Sequence, residues 1–287
     1  MKYVFFGTPS FSARFLQILL DHDVIPAAVV CNPDRPTGRK KIITAPPVKI
    51  TAQGWSAAHP DQTIIILQPE KLDADFQETL RALAPDFFVV FAYNKIFRKE
   101  VLDIPEHGTV GVHPSLLPKY RGPSPFQTAL LDGATETGVT LYLLDEGIDS
   151  GPIIAYSEKI KIAATDTFSS MAEKLADLGG KLFLATLPKL QKGKPVTTAQ
   201  DETQATFTKK FTSADGFIEP ADLAAAQAGD QEKSRIIDRK IRAFNPEPGA
   251  WTTKDGKRLK LLRTEIREGN LTLLETQQEG ERAKTVG

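Results

Sequence analysis

Phe87 to Phe91 read FFVVF, five apolar residues without a polar break. A strand with no face to offer water belongs inside a parallel sheet covered by helices on both sides. Parallel neighbours need long crossovers, and the first half of the chain has the rhythm to supply them. The runs YVFFG, FSARFLQILL, IPAAVVC, TIIILQ, DFQETLRALA and DFFVVFAY alternate β-rich segments with helical spacing. Right-handed crossovers then make a doubly wound, mostly parallel α/β sheet the expected core, with ligands off the carboxyl ends of its strands.

Several ligand classes are excluded at once. The first turn, GTPSF, lacks the G-x-G-x-x-G spacing that seats a pyrophosphate, and no G-x-x-x-x-G-K-[ST] occurs. One cysteine, Cys31, and four histidines form no cluster with metal-ligand spacing, so no metal is expected. Lys and Arg number 36 against 36 Asp and Glu, so any nucleic-acid contact has to come from a local basic patch. Met1 runs straight into KYVFFGTP with no signal-peptide pattern and no run reaches membrane-spanning length, which makes the cytoplasm the expected address.

A chain of 287 residues suggests two domains. Phe168 to about Gln191 reads as one long helix, with Thr165, Asp166 and Thr167 as N-cap candidates. The polar, unpatterned stretch after it is expected to be a linker, giving a first domain at 1–190, a linker at 191–207 and a β-rich, barrel-like second domain at 208–287. In the latter, RIIDRKIRAF has helical spacing and an Asp-Gly turn joins two strand-like arms in GAWTTKDGKRLKLLRTEI.

Two loops hold the chemistry. GVHPSLLPKYRGPSPF places His113 at a strand end, since Pro114 blocks continuation into helix. LLDEGIDSG ends another strand-like run and supplies Asp145, Glu146 and Asp149. Each loop has a plainer reading, as a rigid turn with a packed histidine and as solvated carboxylates. A carboxylate that meets His113, however, fixes its tautomer and supports general acid-base chemistry.

The segments HPSLLPKYRGPSP and TGVTLYLLDEGIDSGPII resemble the 10-formyltetrahydrofolate-dependent formyltransferase family, whose signature is Asn-x-His, Ser-Leu-Leu-Pro and a later Asp-x-x-x-Asp-x-Gly. The resemblance implies a Rossmann-like formyltransferase core, His113 and Asp149 as the catalytic pair, and Ser115, Leu116, Leu117 and Pro118 as the loop that carries the folate. It continues through FVVFAYNKIFRKEVL and IRAFNPEPGAW. VVCNPDRPTGRKKIITAPPVK resembles the tRNA-contacting loop of the branch that formylates methionine on initiator tRNA, with Arg35, Arg39, Lys40 and Lys41 as its cations. The implied reaction passes a formyl group from 10-formyltetrahydrofolate to that methionine's amino group, in a monomer with no membrane partner.

Lys49 adds to the same basic loop against one Asp34, and Lys254, Lys257, Arg258 and Lys260 are a second candidate footprint on phosphates. The family's final segment is longer than LTLLETQQEGERAKTVG, so a compact or truncated second domain is expected. One departure bears on the chemistry: Gly111 stands where the family has Asn, a donor to the oxyanion. Losing such a donor typically costs about 10²- to 10³-fold in rate. The expectation is therefore vacant space over Gly111, filled by water or by the amide of Asn94; a faster Gly111→Asn variant would mark the donor as missing and an equally fast one as replaced. Two alternatives stay open: a sugar-nucleotide N-formyltransferase, which would not need the basic loop, and a catalytically impaired folate- or tRNA-binding homologue.

Overall fold

In the computed structural model of the chain, which describes residues 1–38 and 40–286, the first half folds as its apolar runs require. Tyr3–Gly7 has Ala28–Val30 and then Ile65–Leu67 on one side, and Phe87–Phe91 and then Thr109–His113 on the other, all five parallel. The winding reverses between Tyr3–Gly7 and Phe87–Phe91, the place off whose carboxyl ends open α/β sheets bind ligands. Past Thr109–His113 the sheet continues with Thr140–Leu143 and Ile153–Tyr156, each antiparallel to its neighbour.

Alternation along the strands explains why both faces are apolar. Phe6 and Phe88 pack with Tyr93 and Phe97 on one face, with Phe6 to Phe88 ring centroids 4.9 Å apart. Phe5 and Phe91 pack around Phe15, which also meets Phe183 at 5.8 Å. Each fully buried Phe contributes roughly 1.5–3 kcal/mol, so these rings hold the frame on which the strand ends are displayed.

The expected long helix spans Phe168–Leu190. Thr167 caps it: its hydroxyl accepts from the Ser170 amide while the Ser170 hydroxyl accepts from the Thr167 amide, a reciprocal pair that satisfies two otherwise unpaired donors. Asp166 accepts from the Ala163 amide and the Ser170 hydroxyl and braces the same turn.

Two compact units are present: residues 1–121, 138–158 and 173–206 form the first, and 122–137, 159–172 and 207–287 the second. The stretch expected to be a linker, 191–207, is instead built into the first unit as far as Thr206. Thr198 exchanges two backbone hydrogen bonds with Ile153, and Thr206 bonds Pro118, Tyr120 and Arg121. Its polar residues lack a periodic pattern because they pair with a folded surface individually.

In the second unit, Trp251–Lys254, Lys257–Arg267, Asn270–Gln278 and Lys284–Thr285 pair antiparallel in chain order. Asp255 and Gly256 both have positive φ, 51° and 72°, the conformation a tight hairpin with right-handed twist demands. Helix Gln231–Phe244, capped by Asp230, buries Ile237, Ile241 and Phe244. The β-rich expectation holds, but the sheet is open: among the described residues its first and last strands do not pair, so no barrel closes. The unit also takes in helix Pro125–Asp132, where Gln127 donates to the carbonyls of Ala243 and Glu247.

Candidate active site

Strand Thr109–His113 delivers His113 to the carboxyl edge of the sheet, and antiparallel pairing with Thr140–Leu143 sets Gly111 opposite Tyr142 and His113 opposite Thr140. All four share one face, since directly opposed residues project the same way and side chains repeat every second position. Thr140 ties down the turn after His113: its hydroxyl donates to the Ser115 carbonyl and accepts from the Leu117 amide. Tyr156 adds a bond to the Leu117 carbonyl, and the Ser115 hydroxyl donates to the Lys119 carbonyl. Of the four residues expected to carry folate, Ser115 and Leu117 are thus buried structural members, and Leu116 and Pro118 are the half-exposed ones.

His113 is buried and held from two sides. Its Nε2 lies 2.8 Å from the Tyr120 carbonyl, which can only accept, so Nε2 carries the hydrogen. Its Nδ1 lies 3.6 Å from Asp149 Oδ2. The structure thereby brings together the two residues expected to form the catalytic pair. Tyr120 and Asp149 both have left-handed φ, 61° and 47°. Asp tolerates that region, Tyr rarely does, and such a backbone persists only where its surroundings enforce it.

Asp149 Oδ1 accepts a short hydrogen bond from the Tyr142 hydroxyl, and the Tyr142 ring stands edge-on to His113 at 6.3 Å. Burial, with Asp149 alongside, holds the Tyr142 phenol well above its usual range, so it remains a donor at neutral pH. Asp145 is spent inside its own loop, accepting from the Gly147 amide and the Ser150 hydroxyl, while Glu146 is exposed.

No open space lies over Gly111. A Cβ placed there would sit 2.3 Å from Tyr142 Cε1, 2.7 Å from its Cζ and 2.5 Å from Leu144 Cδ1. The expected gap is filled by the Tyr142 ring, and Asn94, the residue expected to fill it, is exposed and accepts from Asn32 instead. A glycine in a strand interior signals close approach of another group, which was the one cue in the sequence to Tyr142. The approaching residue is set by cross-strand register and cannot be read along the chain.

The carboxylate loop is clamped from behind by Gln200, which no sequence motif marks, and by Arg121, which lies inside HPSLLPKYRGPSP without a role read for it. Gln200 donates to the Asp149 and Gly151 carbonyls, and Arg121, itself buried, donates to Gln200 and Glu202. Arg121 pulls the Glu202 carboxyl below its usual range. At Gly151 a Cβ would lie 1.8 Å from the Leu143 carbonyl oxygen, so only glycine lets the loop return this close to its own strand.

The basic loop is a two-stranded hairpin, Arg35–Thr37 against Ile42–Thr44, that exposes Arg35, Lys40 and Lys41 together with Ile42 and Ile43. Arg39 lies outside the described residues. Arg35 pairs with Glu70 in an exposed contact of little energetic weight. Lys49 does not join the patch: it bonds both oxygens of Asp34 and the Gln68 side-chain oxygen, neutralising the acid at the start of the loop. In the second unit Arg258 stacks 4.2 Å over the Trp251 ring and donates to Ser213, which leaves Lys254, Lys257 and Lys260 exposed. Among the described residues no group of His, Cys, Asp or Glu could hold a metal ion, and no helix is long and apolar enough to cross a membrane.

Comparison with known proteins meets this geometry from the other side. Residues 1–187 match the family described as Formyl transferase, and residues 231–283 match Formyl transferase, C-terminal domain. A methionyl-tRNA formyltransferase from Halorhodospira halophila is 40% identical over 249 residues, spanning 87% of this chain and 74% of that protein. The solved methionyl-tRNA formyltransferase from Clostridium thermocellum superposes with a TM-score of 0.61 at 19% identity, covering 97% of this chain and 98% of that one. WlaRD, a sugar 3N-formyl transferase solved in the presence of dTDP and 5-N-formyl-THF, gives 0.62 at 18% identity over 93% of this chain and 86% of that one. The two folds are equally near.

Proposed function

We infer the reaction from a premise that the family match supplies: the chain belongs to the formyl transferase family. It transfers a formyl group from 10-formyltetrahydrofolate to the amino group of methionine on initiator tRNA. The fold does not choose between tRNA and a sugar nucleotide, since both kinds of relative superpose alike at 18–19% identity; the 40% identity to the tRNA enzyme of Halorhodospira halophila over 87% of this chain supports tRNA. The observation that carries the chemistry is His113 facing Asp149 at 3.6 Å on a strand end.

Formyl transfer joins the amine nitrogen to the formyl carbon, breaks the bond from that carbon to the folate nitrogen, and moves one proton from the amine to the folate nitrogen. His113 is the group that carries this proton. With Nε2–H committed to Tyr120, Nδ1 is the nitrogen that takes the proton and returns it, and Asp149 steadies the imidazolium in between. The cation also offsets negative charge developing on the formyl oxygen. Leu116 and Pro118, half-exposed and apolar, fit the flat ring of a folate, on a turn locked by Thr140 and Tyr156. No second chain is needed for the pair, so the reading is of a monomer, working in the cytoplasm where charged tRNA is found.

Arg35, Arg39, Lys40 and Lys41 are assigned to tRNA phosphates. The exposed hairpin supports this, and so does the loss of Asp34 as a competing charge. Replacing Arg39, Lys40 and Lys41 with Ala should flatten the slope of log affinity for tRNA against log salt by roughly 2 to 3, at about 0.7–0.9 for each phosphate deprived of its cation. A filter-binding series in rising salt measures it, and an unchanged slope removes the hairpin from the interface. The reaction itself is tested by offering the protein 10-formyltetrahydrofolate with Met-charged initiator tRNA or with an amino-sugar nucleotide. Transfer to the sugar alone would overturn the assignment.

A further inference from the structure

We propose that Tyr142 is a positioning residue of this site, whose hydroxyl holds Asp149 turned toward His113 and whose ring the absence of a side chain at Gly111 admits. The proposal rests on the assigned transfer reaction for its kinetic consequence and on geometry alone for its structural one.

Three observations converge. The Tyr142 hydroxyl donates to Asp149 Oδ1, leaving Oδ2 as the oxygen that faces His113 Nδ1. Asp149 sits in a loop with left-handed backbone, in a chain segment that is half-exposed, where a carboxylate on a short stem has two rotatable bonds and water to compete for it. A charge-assisted bond from a rigid, buried phenol restricts that freedom. Finally, the ring needs room: it is packed so close across Gly111 that even a methyl group there would overlap Cε1 and Cζ. Gly111 is therefore half of a two-residue device, since directly opposed positions on neighbouring strands share one volume.

A histidine that must gain and lose a proton works fastest when its partner is already oriented, because misalignment has to be corrected in every turnover. Tyr142 touches neither the proton nor the substrate in this account. It acts through Asp149, and its effect should appear in kcat and leave both KM values alone.

The test is Tyr142→Phe, which keeps the ring over Gly111 and deletes one oxygen. Formylation kinetics should give a kcat lowered roughly 10- to 100-fold, the scale of one hydrogen bond to a charged group, with KM for tRNA and donor within about twofold and a melting temperature close to the parent's. In an Asp149→Asn background the same change should have little further effect, since the group it orients is already disabled. Full kcat in Tyr142→Phe overturns the proposal, as does an equal loss in both backgrounds. The ¹⁵N resonance of His113 Nδ1 is read in the same two proteins, with and without the hydroxyl. It should move if Asp149 is released and an unmoved line overturns the proposal. That spectrum decides the matter even for a parent that transfers no formyl group, an outcome that would overturn the assigned reaction instead.

Discussion

His113→Ala is expected to lower kcat for formyl transfer by about 10²- to 10⁴-fold, the range that a positioned general acid-base contributes. Folate binding, measured by fluorescence titration of the donor, should stay within a few-fold, because the turn that follows His113 is held by Thr140 and Tyr156 and not by the imidazole. Removing the ring does take a donor from the Tyr120 carbonyl, whose left-handed backbone is turned toward Nε2. The cost of that is structural and belongs in the melting temperature. Asp149→Asn is the partner variant: Asn accepts the same left-handed backbone as Asp, so it removes charge without adding strain. Because the two residues act as a unit, the double variant should be little worse than the worse single one. A His113→Ala enzyme with near-parental turnover would take the imidazole out of the reaction altogether.

The contrast between what was legible along the chain and what was not follows from the range of the signals. FFVVF, the DG hairpin and the Thr167 cap are local: each is a few residues whose own sterics or hydrogen bonds decide the conformation, and each formed as read. The nearness of His113 and Asp149 was legible for another reason, a motif whose glycine at 151 is enforced by the Leu143 carbonyl. Tyr142 and Arg121 lie inside the two segments that carry the resemblance yet show no local sign of a role, and Gln200 lies outside both. Tyr142 in TLYLL reads as one more apolar strand residue until pairing with Thr109–His113 sets it opposite Gly111. Gln200 sits in a stretch whose polar, aperiodic sequence is what a linker and a docked strap have in common. Lys49 erred in the opposite direction, since a lysine beside a basic loop counts toward a patch in sequence and is spent on Asp34 in space.

Gly111→Asn carries the second large effect, and its sign separates two accounts of the site. If Gly111 were simply a missing oxyanion donor, restoring Asn would raise kcat by about 10²- to 10³-fold. The structure leaves no room for that. The backbone at Gly111 is ordinary extended strand, so the obstacle is not φ but volume: the first carbon of the new side chain falls 2.3 Å from Tyr142 Cε1. The ring cannot swing aside without breaking its bond to Asp149. Overpacking of this kind typically costs about 1–3 kcal/mol, or a fall in Tm of a few degrees for a chain of this size, and kcat should fall with it as Asp149 loses its orientation. Pairing Gly111→Asn with Tyr142→Leu deletes the Cε and Cζ atoms that clash, though not Leu144 Cδ1 at 2.5 Å, and should recover part of the lost Tm while leaving Asp149 without its phenol. A favourable coupling energy from the full cycle, well beyond the few tenths of a kcal/mol expected of independent sites, identifies residues 111 and 142 as one volume shared across two strands. A faster single variant with an unshifted Tm would return Gly111 to the role of a vacancy and leave Tyr142 as packing.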